Sequence, residues 1–83
     1  MRKISDRCLR CYSEQEWYGE NFLHSFLDEK DLSGKVILEV GCAEAGLLKY
    51  FKNKGANCHG IELSDIRFKN ALELNNKNSI NIF

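Results

Sequence analysis

Lys35-Val36-Ile37-Leu38-Glu39-Val40-Gly41-Cys42-Ala43-Glu44-Ala45-Gly46 reads as a strand, a turn of small residues and the start of a helix. The run from Lys35 to Val40 is short, β-branched and mostly apolar, bounded by Gly34 and Gly41. That pattern predicts a strand buried on both faces of a parallel sheet. From about Glu44 to Lys54, Leu47, Leu48 and Phe51 share one helical face, lysines gather in the last turn and Gly55 stops the helix.

The same alternation continues downstream. Asn57 to Leu63 predicts a second strand, and Asp65 to about Asn76 a helix capped by Ser64 or Asp65, with Ile66, Ala71 and Leu74 on one face. After the polar turn Asn75-Asn76-Lys77-Asn78, Ile80, Ile82 and Phe83 predict a third strand that has barely begun. Upstream, Ser13-Glu14-Gln15-Glu16 has the form of a capping box. The helix it opens carries an apolar stripe of Trp17, Tyr18, Phe22, Leu23, Phe26 and Leu27, and is expected to run until Asp31-Leu32-Ser33-Gly34 and to need a partner surface. The expected organisation is an arm over 1–12, then one α/β unit over 13–83. It is a helix followed by β-α-β-α-β, a partial Rossmann-like parallel sheet with right-handed crossovers.

Composition sets outer bounds. With 83 residues, no proline, 12 Lys+Arg against 12 Asp+Glu and 43% hydrophobic content, the sequence is of the ordinary globular kind and holds one domain at most. Neutral charge gives no electrostatic reason to expect nucleic acid as a partner. No apolar run reaches the roughly 18 residues of a membrane span, and Met1-Arg2-Lys3-Ile4-Ser5-Asp6 does not lead into a signal-peptide core. The expectation is a cytoplasmic protein with reduced thiols. Cys8 and Cys11 have the spacing of half a zinc site, but Cys42, Cys58, His24 and His59 offer no second half, so no metal is expected. A redox role for the Cys8/Cys11 pair is disfavoured, because it does not sit at a strand-to-helix turn.

Three features carry chemistry. Small residues at Gly41, Ala43 and Gly46 let backbone amides approach a ligand, and the following helix N-terminus offers donors and a partial positive charge. Glu62 ends the second strand 21 positions after Gly41, where a carboxylate can accept both ribose hydroxyls of an adenosine-containing ligand. Glu39 ends a buried strand, where an unpaired carboxylate is costly, so a ligand amine or sulfonium, or loop donors, should meet it.

At these residues the sequence resembles the class I S-adenosylmethionine-dependent methyltransferases. Their first motif, a strand ending in an acid and then glycines at alternate positions, reads here Glu39-Val40-Gly41-Cys42-Ala43-Glu44-Ala45. Gly60-Ile61-Glu62-Leu63-Ser64 is similar to the second motif. The resemblance spans about residues 34 to 83 and implies S-adenosylmethionine as cofactor and S-adenosylhomocysteine as product. The site it implies comprises Glu39, Gly41, Cys42, Ala43, Gly46, Glu62, Leu63 beside adenine, and Tyr18 as an aromatic lent by the upstream helix.

Two departures matter. Ala43 and Ala45 stand where the family prefers glycine; a positive φ at either costs on the order of 1–2 kcal/mol. The chain also ends before the family's third and fourth strands are complete, so it reads as the amino-terminal, cofactor-binding half of an enzyme, with no catalytic residue identifiable. Two alternatives stay open. One is the nucleotide half of a nicotinamide-dependent oxidoreductase, supported by the loop and Glu62 and opposed by Glu39. The other is a non-catalytic module that associates with itself or another chain, because the edge at Ile80–Phe83 is unpaired.

Overall fold

A computed structural model describes residues 3–27 and 31–83. Its elements are α1 (Asp6–Asn21), a 3-10 turn (Leu23–Phe26), β1 (Val36–Val40), α2 (Gly46–Asn53), β2 (Asn57–Ile61), α3 (Asp65–Leu74) and β3 (Asn81–Ile82). The strands form one parallel sheet in the order β1-β2-β3, with Val36 opposite Asn57, Val40 opposite Ile61, and Gly60 opposite Ile82. The fold is the expected α/β, partial Rossmann-like arrangement. No helix among the described residues is long and apolar enough to cross a membrane.

The core lies between the sheet and its helices. Cys58 and Ile82 from the sheet pack with Leu48 of α2 and Ala71 of α3, and Ile37, Phe51 and Phe68 close the margin. Two successive right-handed crossovers along a sheet of order 1-2-3 place both connecting helices on the same side. Among the described residues nothing covers the other side. Val36, Leu38 and Val40 are 68%, 59% and 75% exposed, which corrects the expectation that β1 is buried on both faces. An apolar run records that a strand has two hydrophobic faces, whereas covering both needs a second layer.

The first helix also differs from its prediction. It begins at Asp6, capped by the Ser5 hydroxyl accepting from the Cys8 amide at 3.2 Å, so residues 6–12 are its first turns rather than an arm. Ser13 lies in mid-helix. Nothing between residues 6 and 12 breaks a helix, and tertiary partners reward the extension: Tyr12 Oη donates to Asn75 Oδ1 at 2.8 Å and Asn70 Nδ2 to Cys8 Sγ at 3.0 Å. The helix ends at Asn21, well before the predicted stop at 31–34. There the chain tightens into the 3-10 turn, where Ser25 Oγ donates to the Phe22 carbonyl at 2.8 Å.

α1 meets α2 through its small residues rather than its aromatic stripe. A Cβ on Gly19 would lie 2.5 to 2.8 Å from the Tyr50 side chain, and one on Gly46 would overlap the Tyr12 carbonyl and sit 2.7 Å from Gln15 Cβ. Trp17, Tyr18, Phe22 and Phe26 consequently stay exposed.

Candidate functional site

The loop from Gly41 to Ala45 is built on three left-handed residues: Gly41 at φ 76°, Ala43 at φ 53° and Ala45 at φ 66°. Both alanines thus adopt the conformation that glycine would take freely, at about 1–2 kcal/mol each. Hydrogen bonds hold the loop there. The amides of Gly41 and Cys42 both donate to the Ile61 carbonyl, at 2.7 and 3.0 Å, and the Ala45 amide donates to the Cys42 carbonyl at 2.8 Å. Gly60 allows this approach to β2, since a Cβ there would stand 2.7 Å from Cys42 Sγ.

Glu62, directly after β2, clamps the loop from the other side. Its Oε1 accepts from the Ala43 amide at 2.7 Å and its Oε2 from the Ser64 amide at 2.9 Å. These donors, the Ser64 amide foremost, hold its pKa below the ordinary carboxylate value. Glu39 is the opposite case. Its Oε1 is buried and has no hydrogen-bond partner among the described residues. Burial, reinforced by the charge of Glu62, pushes its pKa up to about 7. Burial and the same two carboxylates raise the neighbouring Cys42 thiol to about 11, which keeps it protonated and unreactive near neutral pH.

A cavity of about 370 Å³ opens over this loop, lined by Tyr18, Glu39, Gly41, Cys42, Ala43 and Leu47, with Cys11, Glu14 and Gln15 completing the wall. Its volume falls in the range of small-ligand sites. Nothing lies within 4 Å of where a Gly41 Cβ would point. Among the described residues the wall carries two carboxylates and no basic side chain, which favours a cationic ligand.

Five of the predicted site residues therefore share one cavity, and Glu62 is tied to it through Ala43. The remaining two are placed differently. Leu63 is 96% exposed and does not line the cavity. Gly46 serves the α1 contact, and its amide donates to Gln15 Oε1 at 2.9 Å. The α2 N-terminus is thus partly closed by α1, where free amides were expected.

Sequence reasoning missed Cys11, Glu14 and Gln15, although they recur with Tyr18 at helical spacing and would have come with it had the helix start been placed correctly. It also missed Glu44, whose side chain is fully buried. Glu44 accepts from Gln15 Nε2 at 2.9 Å through Oε1, pairs with Arg67 Nε at 3.2 Å through Oε2, and its carbonyl accepts from Asn75 Nδ2 at 3.0 Å. This network joins α1, the loop and α3. No local signal in the sequence marks it.

No family model matches the chain, and no curated protein matches it in sequence. Solved structures do match in fold. The PH0226 protein from Pyrococcus horikoshii OT3 superposes with a TM-score of 0.65 at 19% identity, over 90% of this chain and 33% of that one. A SAM-dependent methyltransferase from Aquifex aeolicus gives 0.63 at 20%, over 98% and 46%. The plantazolicin methyltransferase BpumL, solved with a pentazolic desmethylPZN analog and SAH, gives 0.55 at 18%, over 95% and 29%. The chain spans less than half the length of each. At these identities the likeness is one of fold, and it agrees with the fold that the sequence resemblance implied.

Proposed function

We propose that this chain binds S-adenosylmethionine over the β1–α2 loop and is the cofactor-binding portion of a methyltransferase whose acceptor is unknown. The observation that carries the reading is the buried Oε1 of Glu39, unpartnered among the described residues, in a cavity whose described lining holds carboxylates and no basic side chain. A ligand with a permanent positive charge relieves that arrangement, and a nicotinamide cofactor with its pyrophosphate aggravates it. Glu62 fits the ribose: its oxygens accept from the Ala43 and Ser64 amides, with the Leu63 amide also directed at it, and an ionised carboxylate with about four acceptor sites keeps capacity for a ribose hydroxyl. The fold shared with a SAM-dependent methyltransferase and with an SAH-bound one supports the same reading. The bound cofactor would supply an electrophilic methyl group. This chain's residues bind and orient it, and the open backbone at Gly41 lets it approach closely.

Calorimetric titration with S-adenosylhomocysteine is expected to give saturable binding. Glu62→Ala should weaken it at least tenfold, since charge-assisted hydrogen bonds contribute about 1.5–3 kcal/mol each. A melting curve of the variant checks that it remains folded. Equal competition by NAD, or no binding at millimolar ligand, would overturn the proposal.

The bare sheet face favours a second reading, in which the chain associates with itself. Val36, Leu38 and Val40 lie beside Asn57, His59, Ile61 and Asn81, a surface with no lysine, arginine or carboxylate. Two copies can therefore meet there without carboxylate or lysine repulsion, each burying the exposed Val36, Leu38 and Val40 side chains. Sedimentation is expected to show a mass that rises with concentration, and Leu38→Lys to return it to that of one chain. A monomeric wild-type mass with cooperative unfolding would contradict this reading.

A further inference from the structure

A second cavity, of about 430 Å³, lies between the first turns of α1 and the N-terminal turn of α3, with Arg7, Cys8, Cys11, Glu44 and Arg67 in its wall. Its volume is again that of a small-ligand site. Cys11 also lines the cavity over the β1–α2 loop, so the two spaces share one thiol. All four cysteines are free thiols; Cys42 and Cys58 are buried, whereas Cys8 and Cys11 are partly exposed. Three residues apart on a helix, these two share one side of it. Asn70 Nδ2 donates to Cys8 Sγ at 3.0 Å and holds that sulfur against α3, while Cys11 makes no such bond among the described residues.

The charges in this wall are unequal. Arg67 Nε pairs with Glu44 Oε2 at 3.2 Å. Arg7 forms no ion pair among the described residues, so one guanidinium is left without a counter-charge. Glu44 is fully buried, and its Oε2 accepts no hydrogen bond among the described residues. The cavity therefore matches a ligand that carries carboxylates for the guanidiniums and an N–H donor for Glu44.

We infer that Cys11 is a site of thiol–disulfide exchange with a low-mass, carboxylate-bearing peptide disulfide, and that the adduct fills the second cavity and closes the cofactor cavity beside it. The Cys11 sulfur, as thiolate, attacks one sulfur of the disulfide; that S–S bond breaks as the new one forms, and the departing thiolate takes up the proton that Cys11 released. Cys11 is oxidised and half of the incoming disulfide is reduced, with no other reagent needed. Arg7 and Arg67 draw the carboxylates in, and Glu44 accepts a hydrogen bond from an amide or ammonium group, which brings the disulfide to Cys11. The exchange stands on the second cavity alone; only the closure of the cofactor cavity rests on the proposed function.

Oxidised glutathione, cationic cystamine and neutral 2-hydroxyethyl disulfide are the probes, each rate read by intact-mass spectrometry and divided by its rate with the urea-unfolded chain. A single glutathionyl group is expected to attach, at Cys11 by peptide mapping, with a normalised rate at least about tenfold above that of cystamine, the neutral disulfide between them, and a ratio that falls as salt is added. Arg7→Gln should cut the ratio several-fold, Cys8→Ser should leave the adduct in place and Cys11→Ser should remove it; a melting curve of each variant checks its fold. Cystamine exchanging as fast as oxidised glutathione overturns the inference, as does an adduct on Cys8 or a Cys8–Cys11 disulfide formed without an adduct. The modified chain should bind S-adenosylhomocysteine at least about tenfold more weakly than the unmodified one, because adduct and ligand compete for the space beside Cys11. Unchanged affinity in the modified chain overturns the closure. Charge-selective exchange in a chain that binds no S-adenosylhomocysteine would sink the methyltransferase reading and leave the thiol site standing.

Discussion

Gly46→Ala is expected to lower the melting midpoint by more than about 10 °C, a sign opposite to that of helix propensity. Gly46 is the first residue of α2, and alanine in a helix is ordinarily favoured over glycine by about 1 kcal/mol. The new methyl group, however, overlaps the carbonyl oxygen of Tyr12 and meets Gln15 Cβ at 2.7 Å. Backbone cannot rotate away as a side chain can, so α1 must lift from α2. Lifting breaks the Gln15 bonds to the Gly46 amide and to Glu44, and strains the Tyr12 bond to Asn75.

Overpacking of this kind costs about 1–3 kcal/mol or more. Against it stands a total stability on the order of 4–12 kcal/mol for a domain of this size. For such a domain each kcal/mol moves the midpoint by roughly 4–8 °C. Gly41→Ala is the comparison: at φ 76° with nothing within 4 Å, it bears only the conformational cost of about 1–2 kcal/mol. Hydrogen exchange should show α1 opening selectively in Gly46→Ala. An unchanged or raised midpoint would mean that α1 does not seat on the glycine.

The second large effect expected under the proposed function is a pH dependence of S-adenosylmethionine binding set by Glu39. Its pKa of about 7, raised from 4.5 by burial and then by the charge of Glu62, leaves the group neutral in mildly acid solution. A cationic ligand needs it ionised. Affinity should therefore rise with pH, by up to about tenfold per unit below 7, and level off above. Glu39→Gln should abolish the slope.

The choice of ligand resolves what Glu39 faces. S-adenosylmethionine carries a permanent sulfonium charge and S-adenosylhomocysteine does not, so a steeper slope for the former places Glu39 opposite the sulfur. Equal slopes place it opposite the amine that the two share. A flat profile with both would remove Glu39 from the site.

The unliganded protein shows the reverse trend. A carboxyl whose folded pKa lies above its unfolded value stabilises the fold below the unfolded value and loses that contribution as pH rises through the folded one. Stability relative to Glu39→Gln should therefore fall between about pH 4.5 and 7. A ligand that neutralises Glu39 restores it, so binding and folding are linked through one carboxylate.

The order of strands and helices, the turn after β1 and the positions of Glu39 and Glu62 were all legible in the sequence. Each is written within a dozen neighbouring residues, as a hydrophobic period, a small-residue run or an acid at the end of a strand. The likelihood that Ala43 and Ala45 carry strain was legible for the same reason, because the conformational cost of a methyl group is local.

What only the tertiary structure decided concerns residues far apart in the chain. Gln15 meets Glu44 and Gly46 across about thirty positions, and Tyr12 meets Asn75 across 63. These contacts start α1 at Asp6, enclose Glu44 and turn Gly46 into a helix-packing residue. Periodicity likewise shows which side chains share a face and is silent on whether another layer covers it. The sidedness of two right-handed crossovers left Val36, Leu38 and Val40 in solvent, and close packing through Gly19 and Gly46 left Trp17, Tyr18, Phe22 and Phe26 exposed.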